Sequence, residues 1–227
     1  SCNILGMNVP DLIHMDPRDP DPSLIRRAVH ILRQGGVIAY PTETFYALGA
    51  DCFQEAALER IFHIKGRNFN NPLALIGGRK DDLQRIADRI PAVAERLMKA
   101  FWPGPLTLLF PAADQLSLRL TAGTGKIGIR ISSHPVAHAI ALALGGPLTA
   151  TSANRSGERE CVQATEVINQ IGDHLDLVID GGITTGGRGS TIVDATTDQP
   201  DVLREGTIGV PAIRHVIQCA YMEENTS

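Results

Sequence analysis

The chain has 227 residues, 43% of them hydrophobic and 20% charged, which suits one cored domain and excludes disorder over most of its length. Its net charge is −4, which excludes a generic phosphate-backbone binder and confines any nucleic-acid contact to a local patch. Apolar stretches such as 139–144 are too short to span a membrane, and four scattered cysteines (Cys2, Cys52, Cys161, Cys219) without CxxC spacing read as reduced thiols of a cytoplasmic protein rather than a disulfide framework or zinc site.

Residues 1–6 lack the basic start and apolar run of a signal peptide. Residues 7–21, rich in Pro and Asp, read as an irregular lead-in. Asp21-Pro22 then opens a helix, an acceptor side chain at the cap followed by proline at the first helical position. Ile25, Ala28, Val29 and Leu32 lay one apolar stripe on it, and Gly35-Gly36 stops it. A short buried strand over 37–40 runs into Pro41-Thr42-Glu43-Thr44. Leu58, Ile61 and Phe62 mark a helix ending near Lys65-Gly66, and 73–76 reads as a strand closed by Gly77-Gly78. Residues 81–100 hold one or two helices interrupted at Pro91. Strands follow at 106–110 and 127–131. Ser133 or His134 caps a helix that begins at Pro135, carries Val136, Ile140 and Leu144, and ends at Gly145-Gly146. The remaining pattern is strand 148–151, helix 164–171, strands 175–179, 191–193 and 202–204, a helix over about 211–220 and a polar tail.

Strands alternating with helices indicate an α/β domain with a central sheet. Too little chain separates the last three strands for helical crossovers, so part of the sheet is antiparallel. The expected organisation is a lead-in over 1–21, one domain over 22–221 and a tail over 222–227.

Charge is unevenly spread. Residues 115–157 contain no Asp or Glu but carry Arg119, Lys126, Arg130 and Arg155. Residues 60–80 are also acid-free and hold Arg60, Lys65, Arg67, Arg79 and Lys80. Two cationic segments in an anionic chain point to an anionic ligand, with chance clustering as the plain alternative.

No phosphate-loop motif is complete. Gly123-Thr124-Gly125-Lys126 has Leu at 120 and Ile at 127 where a P-loop needs Gly and Ser/Thr. Gly186-Gly187-Arg188-Gly189-Ser190-Thr191 precedes a strand; it is either a hairpin turn or a loop whose N–H groups and Ser190 hydroxyl approach a ligand closely. His134 and His138 share a helical face without a third ligand, so we assign cap and surface roles and no metal. Thr151-Ser152-Ala153-Asn154 ends a strand and offers both donors and acceptors, as a turn also would. Lys65-Gly66-Arg67 sets an ammonium beside a guanidinium fork, suited to a triphosphate, or equally to an ordinary helix C-terminus.

Taken in order, the blocks 36–46, Lys65-Gly66-Arg67 with Asn71-Pro72-Leu73, Trp102-Pro103-Gly104-Pro105-Leu106-Thr107, Ile129-Arg130-Ile131, Thr151-Ser152-Ala153-Asn154 with Ser156-Gly157, 190–194 and Leu203-Arg204-Glu205-Gly206 resemble the YrdC-like family, the threonylcarbamoyl-AMP synthases of tRNA modification, in its short single-domain branch. The resemblance covers about 22–210. It implies a twisted mixed α/β sheet flanked by helices with a large concave cavity. It implies formation of threonylcarbamoyl-adenylate and pyrophosphate from L-threonine, bicarbonate (or CO2) and ATP, with Mg accompanying ATP and no tightly bound protein cofactor. A partner transferase would then modify tRNA. The family's KxR…SxN signature falls on Lys65, Arg67, Ser152 and Asn154 as the catalytic set. Threonine would be held by Thr44, Arg130, the backbone of Ala150 and Ser190. ATP would be held by Arg67, Asn71, Lys126, Ser152 and Arg204. Three departures stand out: Asn68 for a proline, Ala47 for a glycine, and Ile76 where a histidine is common near threonine. Two alternatives remain: a module binding tRNA or double-stranded RNA directly, and a related carbamoyl-adenylating enzyme with another acceptor.

Overall fold

In the computed structural model, which describes residues 9–66 and 70–224, Asp21 caps α1 (Pro22–Arg33) by accepting from the N–H groups of Ser23 and Leu24. Ile25, Ala28, Val29 and Leu32 are its buried face, as the spacing predicts. The helix lies against α5 (Pro135–Leu144). There His134 is the cap, its Nδ1 accepting from Val136 N at 3.2 Å.

The strands form two mixed sheets rather than the single sheet expected. The first has the order β1 (Asp11–His14), β9 (Leu177–Asp180), β2 (Ile38–Pro41), β3 (Tyr46–Gly49), β8 (Thr151–Ser152). The second runs β11 (Asp201–Arg204), β10 (Thr191–Asp194), β5 (Leu106–Pro111), β6 (Lys126–Ile131), β4 (Leu75–Gly77), β7 (Leu148–Thr149). The expected antiparallel character of the last strands holds for β10 and β11, while β10 runs parallel to β5.

β2 shows why one strand serves two cores. Val37 and Ala39 enter one apolar cluster, Ile38 and Tyr40 the other, because successive side chains leave opposite faces. A strand buried on both faces reads as a continuous apolar run. Its partner β3, paired antiparallel, reads the same way, and for want of alternation it was absent from the expected elements.

The run 148–151, expected as one strand, is divided at Ala150. β7 joins the second sheet and β8 the first, so this short stretch links them. The fully buried Thr149 secures the link: its Oγ1 donates to Leu48 O at 2.8 Å and accepts from Ala50 N at 2.9 Å, and its carbonyl accepts from Tyr40 Oη at 2.7 Å. The lead-in also differs from expectation. Asp11–His14 is a strand lying parallel to β9, with Ile13 buried between layers. The remaining helices are α2 (Glu55–Lys65), α3 (Ala92–Phe101), the single turn α4 (Leu118–Thr121), α6 (Ala164–Ile171) and α7 (Val210–Glu224). Residues 80–85 form a 3-10 turn, because the Asp82 carboxylate accepts from the Gly78 and Arg79 N–H groups and pins the chain early. No helix among the described residues is long and apolar enough to cross a membrane.

Candidate active site

Period-two alternation on β6 sends Arg130 to the face opposite Ile129 and Ile131. Arg130 lines a cavity of about 240 Å3 between the sheets. Thr44, from the loop joining β2 to β3, lines it too, as do Ala150 and Ser152 from the β7–β8 run. Ser190 and Arg204 close the far wall. The concavity continues past Phe45 and Glu160 into a neighbouring groove of about 500 Å3 over Gly186 and Gly187. Folding thus gathers residues spread from 44 to 204 into one hollow.

Arg130 is almost fully buried, its side chain 5% exposed, and a buried guanidinium is tolerated only when paired and hydrogen-bonded. Glu43, 11% exposed, supplies the partner: Arg130 Nε donates to Oε1 at 3.0 Å. Ser132 Oγ donates to the other carboxylate oxygen. Glu43 therefore takes the Nε edge of the fork and sets the direction of its terminal nitrogens. Sequence reading did not assign Glu43 or Ser132. The available signal was Ser132 at i+2 from Arg130, on the same strand face.

On the opposite wall Arg204 donates from Nη2 to the Ser190 carbonyl at 2.8 Å. Thr107 Oγ1 donates to Ser190 Oγ at 2.9 Å, so this hydroxyl is oriented from β5. Burial makes Arg204 a weaker base than an exposed arginine; Glu160 opposes the shift and Arg130 adds to it. Thr44 sits in a hydroxyl pair with Thr42 at 3.2 Å.

Lys65, the last residue of α2, is 4% exposed. Gly66 follows in the left-handed conformation (φ 61°), which frees the chain to turn immediately after it. The Lys65 ammonium donates to Ser152 O at 2.6 Å, Asn154 O at 3.0 Å and Asn154 Oδ1 at 2.9 Å. Ser152 Oγ donates to Asn154 Oδ1 at 2.6 Å, and Asn154 Nδ2 to Glu158 O at 2.7 Å. Three of the four signature residues are therefore one network. Within it, only Ser152 lines the cavity. Asn154 bonds to Lys65, Ser152 and Glu158 and so holds the loop. Arg67, the fourth signature residue, lies outside the described residues, as does Asn68.

Asn71 is exposed beside Pro72, which lines the cavity. Lys126 begins the Arg130 strand but is not part of the lining; its ammonium is 2.5 Å from Asp194 Oδ2. Burial pushes the Asp194 carboxyl up, yet the bonds from Lys126 and Thr196 outweigh it and hold the group below its usual range. Ala47 pairs with Ser152 across β3 and β8. Ile76 pairs with Arg130 in register but is fully buried in the α1–α5 core. His134 caps α5, while His138 Nε2 lies 2.9 Å from Gly78 O. The acid-free segments are not free of partners: Arg60 pairs with Asp176, Lys80 with Glu95 and Arg119 with Glu55.

The Sua5/YciO/YrdC family model, described as "Telomere recombination", matches residues 30–206. The chain is 38% identical over 193 residues to a threonylcarbamoyl-AMP synthase of Pyrococcus abyssi, covering 85% of this chain and 57% of that protein. It is 38% identical over 186 residues to one of Vibrio vulnificus, covering 81% of this chain and 99% of the relative. It thus spans just under three fifths of the Pyrococcus relative and nearly all of the Vibrio one. Among solved structures, P. abyssi Sua5 complexed with L-threonine superposes with a TM-score of 0.87 at 36% identity, over 91% of this chain and 60% of that one. E. coli YciO gives 0.79 at 34% identity, over 90% and 98%. A family match over most of the described fold, with these identities, shows that the chain belongs to the Sua5/YciO/YrdC family.

Proposed function

We propose that this chain is an L-threonylcarbamoyladenylate synthase, making threonylcarbamoyl-AMP and pyrophosphate from L-threonine, bicarbonate and ATP, with residues 22–221 acting as one catalytic unit in the cytoplasm. The observation that carries the reading is one hollow lined together by Arg130, Thr44, Ser190, Arg204 and Ser152. The synthase names of the relatives and the threonine held by the superposable structure support it.

In this reading the threonine amine adds to carbon dioxide drawn from bicarbonate, losing a proton and leaving a carbamate. A carbamate oxygen then bonds to the α-phosphorus of ATP as the bond to pyrophosphate breaks. No protein nucleophile is needed; the work is to bring three anionic groups together and neutralise them. Arg130 receives the threonine carboxylate on its terminal nitrogens, while Glu43 holds Nε. Thr44, Ser190 and the Ala150 backbone orient the amino acid. Arg204, Ser152, Arg67 and Asn71 contact ATP, which arrives with Mg2+ as part of the substrate. Lys126 joins them only by exchanging Asp194 for a phosphate. Lys65 and Asn154 hold the Ser152 wall in place. Enclosure protects the labile carbamate from water. The product passes to a transferase that acts on tRNA.

The test is ATP–pyrophosphate exchange with the purified chain. Label is expected to enter ATP only when threonine and bicarbonate are both present. Exchange without either co-substrate, or none with both, would overturn the proposal.

A further inference from the structure

A second cavity, of about 730 Å3, lies away from the site between α3, α5 and the ends of β4 and β6. It is about three times the volume of the site cavity. Its floor is apolar, built from Met98, Trp102, Pro103 and Ile131. Arg79, Lys80, Arg96 and Lys99 stand around it. Arg96 and Lys99, three apart on α3, share one helical face. Glu95 is the one carboxylate of this lining, and Lys80 already holds it at 3.0 Å. Asp82, on the next turn, is occupied by the Gly78 and Arg79 N–H groups and lies outside the lining. Arg79 and Lys99 make no ion pair among the described residues.

An anionic chain has here placed Arg79 and Lys99 over an apolar floor, beside a Lys80 held by Glu95 and an Arg96 that has a partner of its own. The volume falls within the roughly 300–1,000 Å3 of small-molecule sites, which are mostly apolar with a few converging polar groups. Charge and shape together select a ligand with an apolar body and a negative head. We propose that this groove is a second ligand site, which takes a small amphipathic anion: an aromatic or acyl body on the Met98–Trp102 floor and a phosphate, sulfonate or carboxylate held by Arg79 and Lys99. The site stands independently of the reaction assigned to the first cavity, although β6 carries a wall of each, Arg130 on one face and Ile131 on the other.

Trp102 is the chain's one tryptophan, and its indole is fixed by donation to Leu106 O at 2.7 Å. Its emission is therefore sensitive to a ligand in this groove, and the Arg79 and Lys99 variants below localise the signal. The probe is 8-anilino-1-naphthalenesulfonate, titrated against the full chain with Trp102 emission and energy transfer followed together. Saturable quenching at one site is expected, weakening as salt is added. Arg79→Glu with Lys99→Glu is expected to weaken binding at least tenfold, and the milder Arg79→Gln with Lys99→Gln by an intermediate factor, with both variants unfolding at the wild-type temperature. Competition with adenosine monophosphate or with decanoate distinguishes a nucleotide from an acyl ligand, and displacement by either supports the site. Repeating the titration in Arg204→Ala separates it from the first cavity, and no change is expected there. Affinity unaltered by the Arg79 and Lys99 variants, loss of binding in Arg204→Ala, or failure of both competitors would overturn the proposal.

Discussion

Arg130 owes its usefulness to Glu43. A buried guanidinium without a carboxylate would be unstable, and one whose whole fork was occupied could not take a ligand. Among the described residues, the Nε edge alone has a partner. Glu43→Gln keeps an acceptor and the volume but removes the charge; Glu43→Ala removes both. In exchange kinetics, Glu43→Ala is expected to raise the threonine KM by roughly 10- to 100-fold, the equivalent of the ~1.5–3 kcal/mol of a charge-assisted hydrogen bond. Glu43→Gln should fall between it and wild type, and the ATP KM should move little. A change confined to the ATP KM would assign Glu43 elsewhere. Lys65 acts differently. Its ammonium meets protein acceptors on the Ser152–Asn154 loop, so Lys65→Met leaves buried carbonyls without a donor. Loss of exchange is expected together with a destabilisation of about 1–3 kcal/mol, seen in denaturant unfolding. Loss of exchange with unchanged stability would make Lys65 a ligand contact instead. The pairing of Lys65 with the 152–154 stretch was legible from the resemblance of the motif. Which atoms of that loop accept from its ammonium was not, because nothing in the spacing tells which acceptors a lysine reaches.

The elements most legible in sequence were those with one buried face. α1 and α5 show their apolar stripes and their caps, Asp21 and His134, directly in the residue order. Strands buried on both faces were harder. β3 carries no alternation, and the 148–152 run looks continuous although it changes sheet at Ala150. The decisive contact, Thr149 bridging Leu48, Ala50 and Tyr40, is set by residues about a hundred positions away. The α5 cap carries a pH dependence. His134 Nδ1 accepts from Val136 N–H, which requires the neutral ring. Burial pushes its pKa below the ordinary 6.5, against a smaller opposing pull from Glu43. The unfolded chain therefore binds the proton more tightly, so this stabilisation is complete above about pH 6.5 and fades as pH falls through the folded pKa. His134→Asn supplies a cap that does not titrate. The variant's melting temperature is expected to fall less steeply than wild type below pH 6.5; equal slopes would show that the ring is not the titrating group.

Over the whole molecule, the two sheets and the connections between them convert a scattered sequence pattern into two hollows of different chemistry. The acid-free runs 60–80 and 115–157 pointed to an anionic ligand. Folding instead pairs Arg60, Lys80, Arg119, Lys126 and Arg130 with carboxylates from distant segments. Among the described residues, Arg204 and Arg130 line the first cavity, and Arg79 and Lys99 the second. Composition could bound the net charge but could not foresee this cancellation, which depends on tertiary pairing. The first cavity, at about 240 Å3, presents hydroxyls beside the Arg130 guanidinium, and the proposed choice of a small hydroxylated amino acid rests on that arrangement. The most direct test is the mass of the product formed when the purified chain is given ATP, Mg2+, bicarbonate and an equimolar mixture of the twenty amino acids. Threonylcarbamoyl-adenylate alone is the expected product, abolished in Arg130→Ala. An adduct of another amino acid, or the same product from Arg130→Ala, would contradict the assignment.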